Sequence, residues 1–356
     1  MKKALIAMSG GVDSSLAAKL MLENGYSCIG CTMKLFQNED AGVERSKTCC
    51  SLDDVEDARS VAYRLGIPYY VFNFTEEFRQ KVIRKFADSY ENGITPNPCI
   101  DCNTYLKFQK LYQRAVLLGC DCIVTGHYAR IEKENGSFVL KKALDESKDQ
   151  SYVLYHLTQK QLAHTVFPLG DLKKSEVRAM AERSGFCNAQ KPDSQDICFV
   201  PNGDYASVVQ RISGRQPVPG DFTDKNGHIL GRHRGILHYT IGQRRGLGIS
   251  APEPLYVCDI SPESNTVVLG ENSDLFRSDA IVRAFHWISG KTPQNAIRCK
   301  AKIRYRQPEQ WATAVPTEDG AVQLRFDEPQ RAITPGQAAV LYQGDTVLGG
   351  GVIARR

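Results

Sequence analysis

Long apolar runs are missing from the start of this sequence. Met1-Lys2-Lys3-Ala4-Leu5-Ile6-Ala7-Met8 leads straight into Ser9-Gly10-Gly11. That stretch is too short for a signal peptide and far too short to span a membrane. The expectation is a cytoplasmic protein with no membrane association. Internal repeats, heptads and low-complexity segments are missing too, which argues against a solenoid, a coiled coil or a disordered chain. No Gly-Lys-Ser/Thr follows the first glycines, so there is no Walker loop, and the absence of Gly-x-Gly-x-x-Gly there weakens a dinucleotide reading. The first part of the chain also lacks a charge excess: residues 1–205 hold 26 Lys+Arg and 26 Asp+Glu. Residues 206–356 hold 19 and 14, so the whole net charge of +5 lies in the second part. A polyanionic partner there and ordinary solubility both fit that excess.

What is present is ordinary globular material: 42% hydrophobic and 24% charged residues over 356 positions. That length suggests roughly two or three domains. Cysteine is plentiful, at 12. A chain this long without a secretion signal has no need of disulfide staples, so catalytic, metal-binding or core roles are the better reading.

The first 125 residues alternate strand-like and helix-like patterns. Lys3–Met8, Ser27–Met33, Pro68–Phe72 and Cys120–Thr125 read as strands. Ser14–Asn24, Asp53–Leu65, Glu76–Glu91 and Thr104–Leu118 read as helices, the second with Ser51 and Asp54 in a capping arrangement. The order implies an α/β domain with a parallel sheet covered on both faces and ligands beyond the carboxyl ends of the strands. Ala129–Lys133 and Phe138–Lys141 flank Asn135-Gly136, a two-residue hairpin signal. Asp145–Ser151 reads as a mobile polar loop. From about Asp204 the style changes to short β-rich runs: Leu255–Ile260, Thr266–Leu269, Ala280–His286, Ile297–Tyr305, Ala321–Phe326 and Ala338–Tyr342. A small linking domain followed by a compact β-barrel fits these spacings. The expected division is a catalytic domain over 1–204, a central domain over 205–277 and a barrel over 278–356.

Ser9-Gly10-Gly11-Val12-Asp13-Ser14-Ser15 follows a strand and opens a helix. Two glycines let the backbone turn tightly and present successive N–H groups to an anion at the helix N-terminus. Ser9 and Ser14 can add hydroxyl donors. Asp13 cannot grip phosphate, so it either orients the loop or reaches a Mg²⁺ ion. The pattern resembles the PP-loop of ATP pyrophosphatases, whose members cleave ATP between the α and β phosphates.

Thr95-Pro96-Asn97-Pro98-Cys99-Ile100-Asp101-Cys102-Asn103 reads as an extended loop held by two prolines, with Cys102 just ahead of a helix that would lower its pKa. Pro192-Asp193-Ser194-Gln195-Asp196-Ile197-Cys198-Phe199-Val200 is a second polar loop with a cysteine. One thiol could carry sulfur as a persulfide, and the other could attack it or close a disulfide. Two unrelated buried cysteines fit the spacing equally well. Cys28, Cys31, Cys120 and Cys122 read as core. Cys49-Cys50 carry no assigned role, and Cys187 reads as structural.

Taken together, these segments resemble the bacterial tRNA-specific 2-thiouridylase (MnmA/TrmU) family. The matching pieces are Ser9–Ser15, Asn97-Pro98 with Cys102-Asn103, Thr125-Gly126-His127-Tyr128-Ala129-Arg130, Lys148-Asp149-Gln150-Ser151-Tyr152, Asp193-Ser194-Gln195 with Ile197-Cys198-Phe199, Arg304-Tyr305-Arg306-Gln307 and Pro335-Gly336-Gln337. The resemblance implies a PP-loop domain, a small central domain and a C-terminal β-barrel. It implies ATP-dependent conversion of a tRNA wobble uridine to 2-thiouridine: ATP adenylates the C2 oxygen, and sulfur arrives from a persulfide loaded by a cysteine desulfurase or a sulfur-relay protein. By motif, Cys102 is the nucleophile and Cys198 the persulfide carrier. Ala7, Met8, Ser9, Gly10, Gly11, Val12, Asp13, Ser14, Met33 and Gly126 would line the ATP site. Asn97, Pro98 and Cys99 would meet the target base. His127, Lys148, Asp149, Gln150, Arg304, Tyr305 and Gln337 would contact tRNA. One departure stands out, since many members carry Asp where this chain has Cys99. Cys99, Cys102 and Cys198 could therefore hold a [4Fe-4S] cluster that carries the sulfur instead. Two other classes also stay open, a PP-loop ligase adenylating a small molecule and a tRNA-binding protein without turnover.

Overall fold

The computed structural model describes residues 1–36, 52–193, 197–200 and 203–355. Ser51, Cys49-Cys50, Ser194, Gln195 and Asp196, singled out above, lie outside the described residues. The N-terminal part is built on a five-stranded parallel sheet in the order Tyr69–Asn73, Ser27–Lys34, Lys3–Ala7, Cys122–Val124 and Thr165–Val166. Lys3–Ala7 sits centrally, with Ala4 beside both Cys28 and Cys122. Its residues alternate between two cores. Ala4 and Ile6 pack with Ala17, Ala18 and Met21 of helix Val12–Glu23 and with Ala58, Val61 and Ala62 of helix Leu52–Arg64. Leu5 faces the opposite core, which contains Phe78, Phe86, Phe108 and Leu111. Such two-sided burial is why the strand reads as a continuous apolar run.

Strand order reverses between Lys3–Ala7 and Cys122–Val124. The crevice beyond their carboxyl ends is flanked by Ser9–Ser14 on one side and Thr125–Gly126 on the other, where doubly wound sheets hold ligands.

The central part has a four-stranded sheet of Tyr256–Ser261, Thr266–Gly270, Gly220–Thr223 and Ile229–His233. Helix Tyr205–Ser213 precedes it, with Asp204 accepting from the Ser207 N–H at 3.1 Å at its start and Gly214 at φ +68° at its stop. The last part is a closed antiparallel barrel of Phe276–Trp287, Val322–Arg331, Gln310–Pro316, Ile297–Lys302, Ala338–Gln343 and Thr346–Ile353, sealed by pairing of the first strand with the last. The strands Gln310–Pro316 and Thr346–Ile353 were not foreseen. The second contains Gly349, Gly350 and Gly351, where a Cβ would fall 2.2 Å from the His286 carbonyl oxygen, 2.8 Å from the Tyr155 ring and 2.6 Å from the Arg283 carbonyl oxygen. Close backbone approach replaces side-chain packing there, so the usual strand signal is missing.

The Asn135-Gly136 turn joins strands Arg130–Glu134 and Ser137–Lys141, with φ of 48° and 83° at the two turn residues. This hairpin belongs to the N-terminal part by sequence, yet Lys141 pairs with Thr346 of the barrel. Arg130 adds an ion pair to Asp345 at 2.7 Å, and the Tyr152 hydroxyl donates to the Ala338 carbonyl at 2.8 Å. Val340, Tyr342 and Val347 of the barrel share one hydrophobic core with the catalytic sheet. Barrel and sheet are thus one packed body. Asp145–Ser151, expected to be mobile, is tied by Asp149, whose carboxylate accepts from Ala143 N at 3.0 Å and Ser151 Oγ at 2.7 Å. Among the described residues, no helix is long and apolar enough to cross a membrane.

Gly336 is one point where this packing tolerates no side chain. Its φ is +89°, and a Cβ would lie 2.1 Å from Ile94 Cγ2 and 3.0 Å from the Thr95 carbonyl oxygen. Gly227 has a similar φ of +85° but open space around it. Gly336→Ala is expected to destabilise the protein by about 1–3 kcal/mol, and Gly227→Ala by less, because only the first adds a clash to the strain of positive φ. Equal shifts in denaturation midpoint would show that the Gly336 turn is not packed against Ile94.

Candidate active site

The phosphate loop is wired from several sides. Met8 donates its N–H to the Cys31 carbonyl at 2.8 Å, fixing the end of the first strand. The chain then turns at Gly10, where φ is +76° and a Cβ would strike the Asp54 carbonyl oxygen at 2.4 Å. Ser14 Oγ accepts from the Ser9 N–H at 3.1 Å and donates to the Gly11 carbonyl at 3.0 Å. Asn188 Nδ2 donates to the Gly10 carbonyl and to Ser15 Oγ, both at 2.9 Å. No side chain caps the helix that starts at Val12. Its first N–H groups and its dipole therefore face the crevice, as an anion site requires. Gly126 packs on this first turn; a Cβ there would come within 2.8 Å of Asp13 C and Ser14 N. Met8 itself is buried in the core, so it can offer a ligand only main chain, while Met33 is half-buried.

Asp13 points away from the loop's mouth. Both its oxygens accept from Lys174 Nζ at 2.7 Å, and Oδ1 also accepts from the Tyr128 hydroxyl at 2.8 Å. The same ammonium lies 2.8 Å from Asp193 Oδ1. Asp193 pairs further with Lys148 and Arg178, each at 2.9 Å. Burial works against the Asp193 carboxylate, yet hydrogen bonds from Lys174 and Lys148 hold its pKa down to about 2. A cation at the start of helix Lys174–Arg183 opposes the helix dipole, a signal in the sequence that could have marked Lys174. Neither Lys174, Tyr128 nor Asn188 was expected in this neighbourhood.

The first cysteine segment is helical rather than extended. Asn97 Oδ1 accepts from the Cys99 N–H at 3.2 Å, and Pro98 takes the first position of helix Pro98–Asp101. The helix continues as a wide π turn over Cys102–Leu111 and an α-helix over Tyr112–Leu117. Proline fits a first helical position because its missing N–H is not needed there. Cys99 is exposed, whereas Cys102 is half-buried against the core. Asp101 is buried and pairs with Lys85 at 2.6 Å; burial raises its pKa, with Lys85 opposing.

Cys198 also packs half-buried against that core. Its neighbour Phe199 sits edge-on to Phe78 at 5.7 Å and Phe86 at 5.2 Å. Helix Arg84–Glu91 therefore touches both cysteine segments, with Lys85 on Asp101 and Phe86 on Phe199. Cys99, Cys102 and Cys198 do not converge as a cluster ligand set. Among the described residues no three His, Cys, Asp or Glu side chains are placed to hold a metal ion. The exposed Cys99 and the inward-facing Cys102 point to different surroundings. Cys28, Cys31, Cys120 and Cys122 are buried, and burial raises each thiol pKa.

The residues expected to face tRNA divide. His127 is enclosed: Nδ1 sits 2.5 Å from Thr125 Oγ1, Nε2 is 3.4 Å from Lys107 Nζ, and Phe108 and Phe167 cover the ring. Burial, then Lys107, lowers its pKa, so it is a neutral core histidine and no stacking surface. Arg304 is half-buried, donating to the Ile241 and Ala332 carbonyls at 3.2 and 3.1 Å and to Thr334 Oγ1. It ties the central part to the barrel. Lys148 is engaged by Asp193, and Gln150 Oε1 accepts from the Tyr128 N–H at 3.0 Å. Tyr305 is half-exposed, its hydroxyl 3.4 Å from the Asp149 carbonyl. Gln337 faces the cysteine segment: Nε2 donates to the Thr95 carbonyl at 2.9 Å and the Pro96 carbonyl at 3.4 Å, while Thr95 N–H donates to the Pro335 carbonyl at 3.0 Å. Arg355 adds a bond to the Asn92 carbonyl at 2.8 Å. The barrel thus grips residues 92–96, directly ahead of Asn97–Cys102.

Comparison with known proteins places this geometry in context. Residues 2–202 match the tRNA methyl transferase HUP domain family, 207–271 the tRNA methyl transferase PRC-barrel domain and 277–353 the aminomethyltransferase beta-barrel domain. The chain is 51% identical over 356 residues to the tRNA-specific 2-thiouridylase MnmA of Clostridioides difficile, covering 99% of this chain and 98% of that one. It is 50% identical over 357 residues to an MnmA of Thermoanaerobacter pseudethanolicus, covering 99% and 98%. To the MnmA of Acetivibrio thermocellus it is 48% identical over 355 residues, covering 99% of each chain. Full-length identity of this order, over the three-part fold and the glycine-turned loop described above, means that the chain belongs to the tRNA-specific 2-thiouridylase MnmA family.

Proposed function

We infer that this protein is an ATP-dependent tRNA 2-thiouridylase. Two observations carry the reading: an uncapped helix N-terminus on a glycine turn, and two cysteine segments braced by one helix. The names of relatives at about half identity over the whole chain support the substrate. A small-molecule ligase would have no use for two cysteine segments braced in this way.

In the proposed sequence, ATP phosphates lie on the N–H groups of Gly10–Ser14. The uridine C2 oxygen attacks the α-phosphorus, and pyrophosphate leaves. C2 now bears AMP as a leaving group. Cys198, loaded as a persulfide by a desulfurase or relay protein, delivers its terminal sulfur to C2. AMP departs with the C–O bond electrons. Cys102 thiolate then attacks the inner sulfur, freeing the 2-thiouridine and leaving a Cys102–Cys198 disulfide that an external thiol reduces. Asp13 has both oxygens on Lys174, so it braces the loop; a Mg²⁺ ion accompanying ATP would help neutralise charge on the phosphates. Asn97, Pro98 and Cys99 bound the position of the target base, and Lys148–Gln150 lie beside the nucleotide.

Cys198→Ser is expected to keep tRNA-dependent release of AMP and pyrophosphate and to lose 2-thiouridine formation, read by mass spectrometry of tRNA nucleosides. Asp13→Ala is expected to lose both, since the first turn of the phosphate loop's helix is no longer tied to Lys174 and Tyr128. Full thiolation by Cys198→Ser would overturn the sulfur route. A wild-type protein that forms no AMP with unmodified tRNA and a sulfur donor would overturn the function.

Gln337 offers a separate check. In our reading it positions the cysteine segment. Gln337→Glu keeps the shape but aims a carboxylate at two carbonyls. Single-turnover thiolation should fall about 10–100-fold, the scale of a small misplacement of reacting groups, with tRNA affinity unchanged. Weakened tRNA binding with an unchanged single-turnover rate would make Gln337 an RNA contact instead.

A further inference from the structure

One face of the barrel carries a row of cations and rings that no role described so far uses. Strand Ile297–Lys302 turns Cys299 and Ala301 into the barrel core and Arg298, Lys300 and Lys302 outward. Alternate strand residues are spaced about 7 Å apart, the order of one step along an extended nucleic-acid backbone. Trp311 lies directly across from Lys300 on the neighbouring strand and is 50% exposed. The Arg298 guanidinium is 4.9 Å and the Lys300 ammonium 5.5 Å from its ring centre. Further along, Lys302 Nζ is 5.7 Å from the Tyr305 ring and 5.9 Å from that of Tyr152. Tyr305 is 38% exposed and reaches the Asp149 carbonyl. Three carboxylates attend the row: Asp327 is paired with Arg298, Glu309 with Lys142 and, at 4.0 Å, with Lys300, and Asp149 lies near Lys302. They hold the cations in place along the rings, where phosphates would compete for them.

We propose that Arg298, Lys300, Lys302 and Trp311 form a track for the single-stranded nucleotides that flank the target base, with Trp311 as a stacking platform and the cations on phosphates. This rests on the tRNA reading above. Three features single out this occupant. The cations alternate with the period of a strand and lie on one face. The exposed indole presents a flat surface between two of them, the arrangement that takes unpaired bases without regard to sequence. The row also runs to Tyr305, whose surroundings include the Cys99 thiol, so the track ends where the base would react.

The chain supplies its own probe, because it has two tryptophans, and Trp287 is only 8% exposed. Titration with unmodified tRNA, followed by tryptophan emission and in parallel by filter binding, tests the track. Trp287→Phe should keep the quenching by tRNA. Trp311→Ala should lose it and bind tRNA about tenfold more weakly, the scale of one stacked base. Lys300→Ala should lower the slope of log affinity against log salt by about one, with ATP binding intact. Binding of tRNA without quenching, or native affinity in Trp311→Ala and a native salt slope in Lys300→Ala, would overturn the track while leaving the function standing. No filter binding by the wild-type protein would instead bring down the tRNA reading on which the track rests.

Discussion

A single ammonium joins the two halves of the catalytic region. Lys174 Nζ bridges Asp13, in the first turn after the phosphate loop, and Asp193, in the segment that leads to Cys198. Its side chain is only 10% exposed. Losing either carboxylate would leave the ammonium with a single counter-ion in a poorly solvated setting. Held by both, the ammonium ties the glycine-turned loop to the segment ahead of Cys198. Tyr128 adds its hydroxyl to Asp13, and its N–H is accepted by Gln150. Lys148 and Arg178 reach Asp193 from the other side. Four stretches of chain that are distant in sequence thus share one charge network beside the crevice.

The barrel supplies the second constraint. Its Pro335–Gln337 turn and Arg355 bind main-chain carbonyls of residues 92–96. Helix Pro98–Asp101 begins two residues beyond that grip, capped by Asn97. Main-chain bonds from a rigid barrel hold the start of this helix more firmly than a free loop could. In the reading proposed here, RNA on the barrel surface and the thiol on the helix are therefore parts of one rigid unit, which is the condition for productive alignment.

Much of this was legible in the sequence, and the exceptions have physical causes. The parallel sheet, the glycine turn and the hairpin at Asn135-Gly136 follow from local signals: two-sided burial, positive φ and a two-residue turn. The strand Thr346–Ile353 escaped because three adjacent glycines carry no pattern. The helix start at Pro98 escaped because two prolines read as an extended segment, although Asn97 before Pro98 is an N-cap followed by a first-turn proline. The packing partners of His127, Arg304 and Gln337 escaped for a different reason. A side chain's chemistry tells what it can bind, whereas its partner is set by tertiary packing. Histidine between phenylalanines is a neutral filler, and arginine among carbonyls is a tie. Lys174 escaped because its partners lie 161 residues before it and, across the crevice, at Asp193.

The residue at position 99 follows from the same helix. Many relatives of this kind, by the resemblance, carry a carboxylate where this chain has Cys99. Asp101 is the nearest carboxyl, yet it cannot stand in for it. Two residues along an α-helix lie roughly 200° apart around its axis, so Asp101 and Cys99 face opposite ways. Asp101 is buried against Lys85, while Cys99 is exposed beside the grip of the barrel. Burial raises the pKa of Asp101 while Lys85 opposes, and the carboxylate is taken up by that ion pair. Whatever proton transfer accompanies adenylation must therefore pass to a group that reaches the crevice from another element or to solvent. The uridine's own N3 proton is acidified once O2 is bonded to phosphorus. In the proposed reaction a strong base at position 99 would then be unnecessary, and a thiol there is compatible with that chemistry.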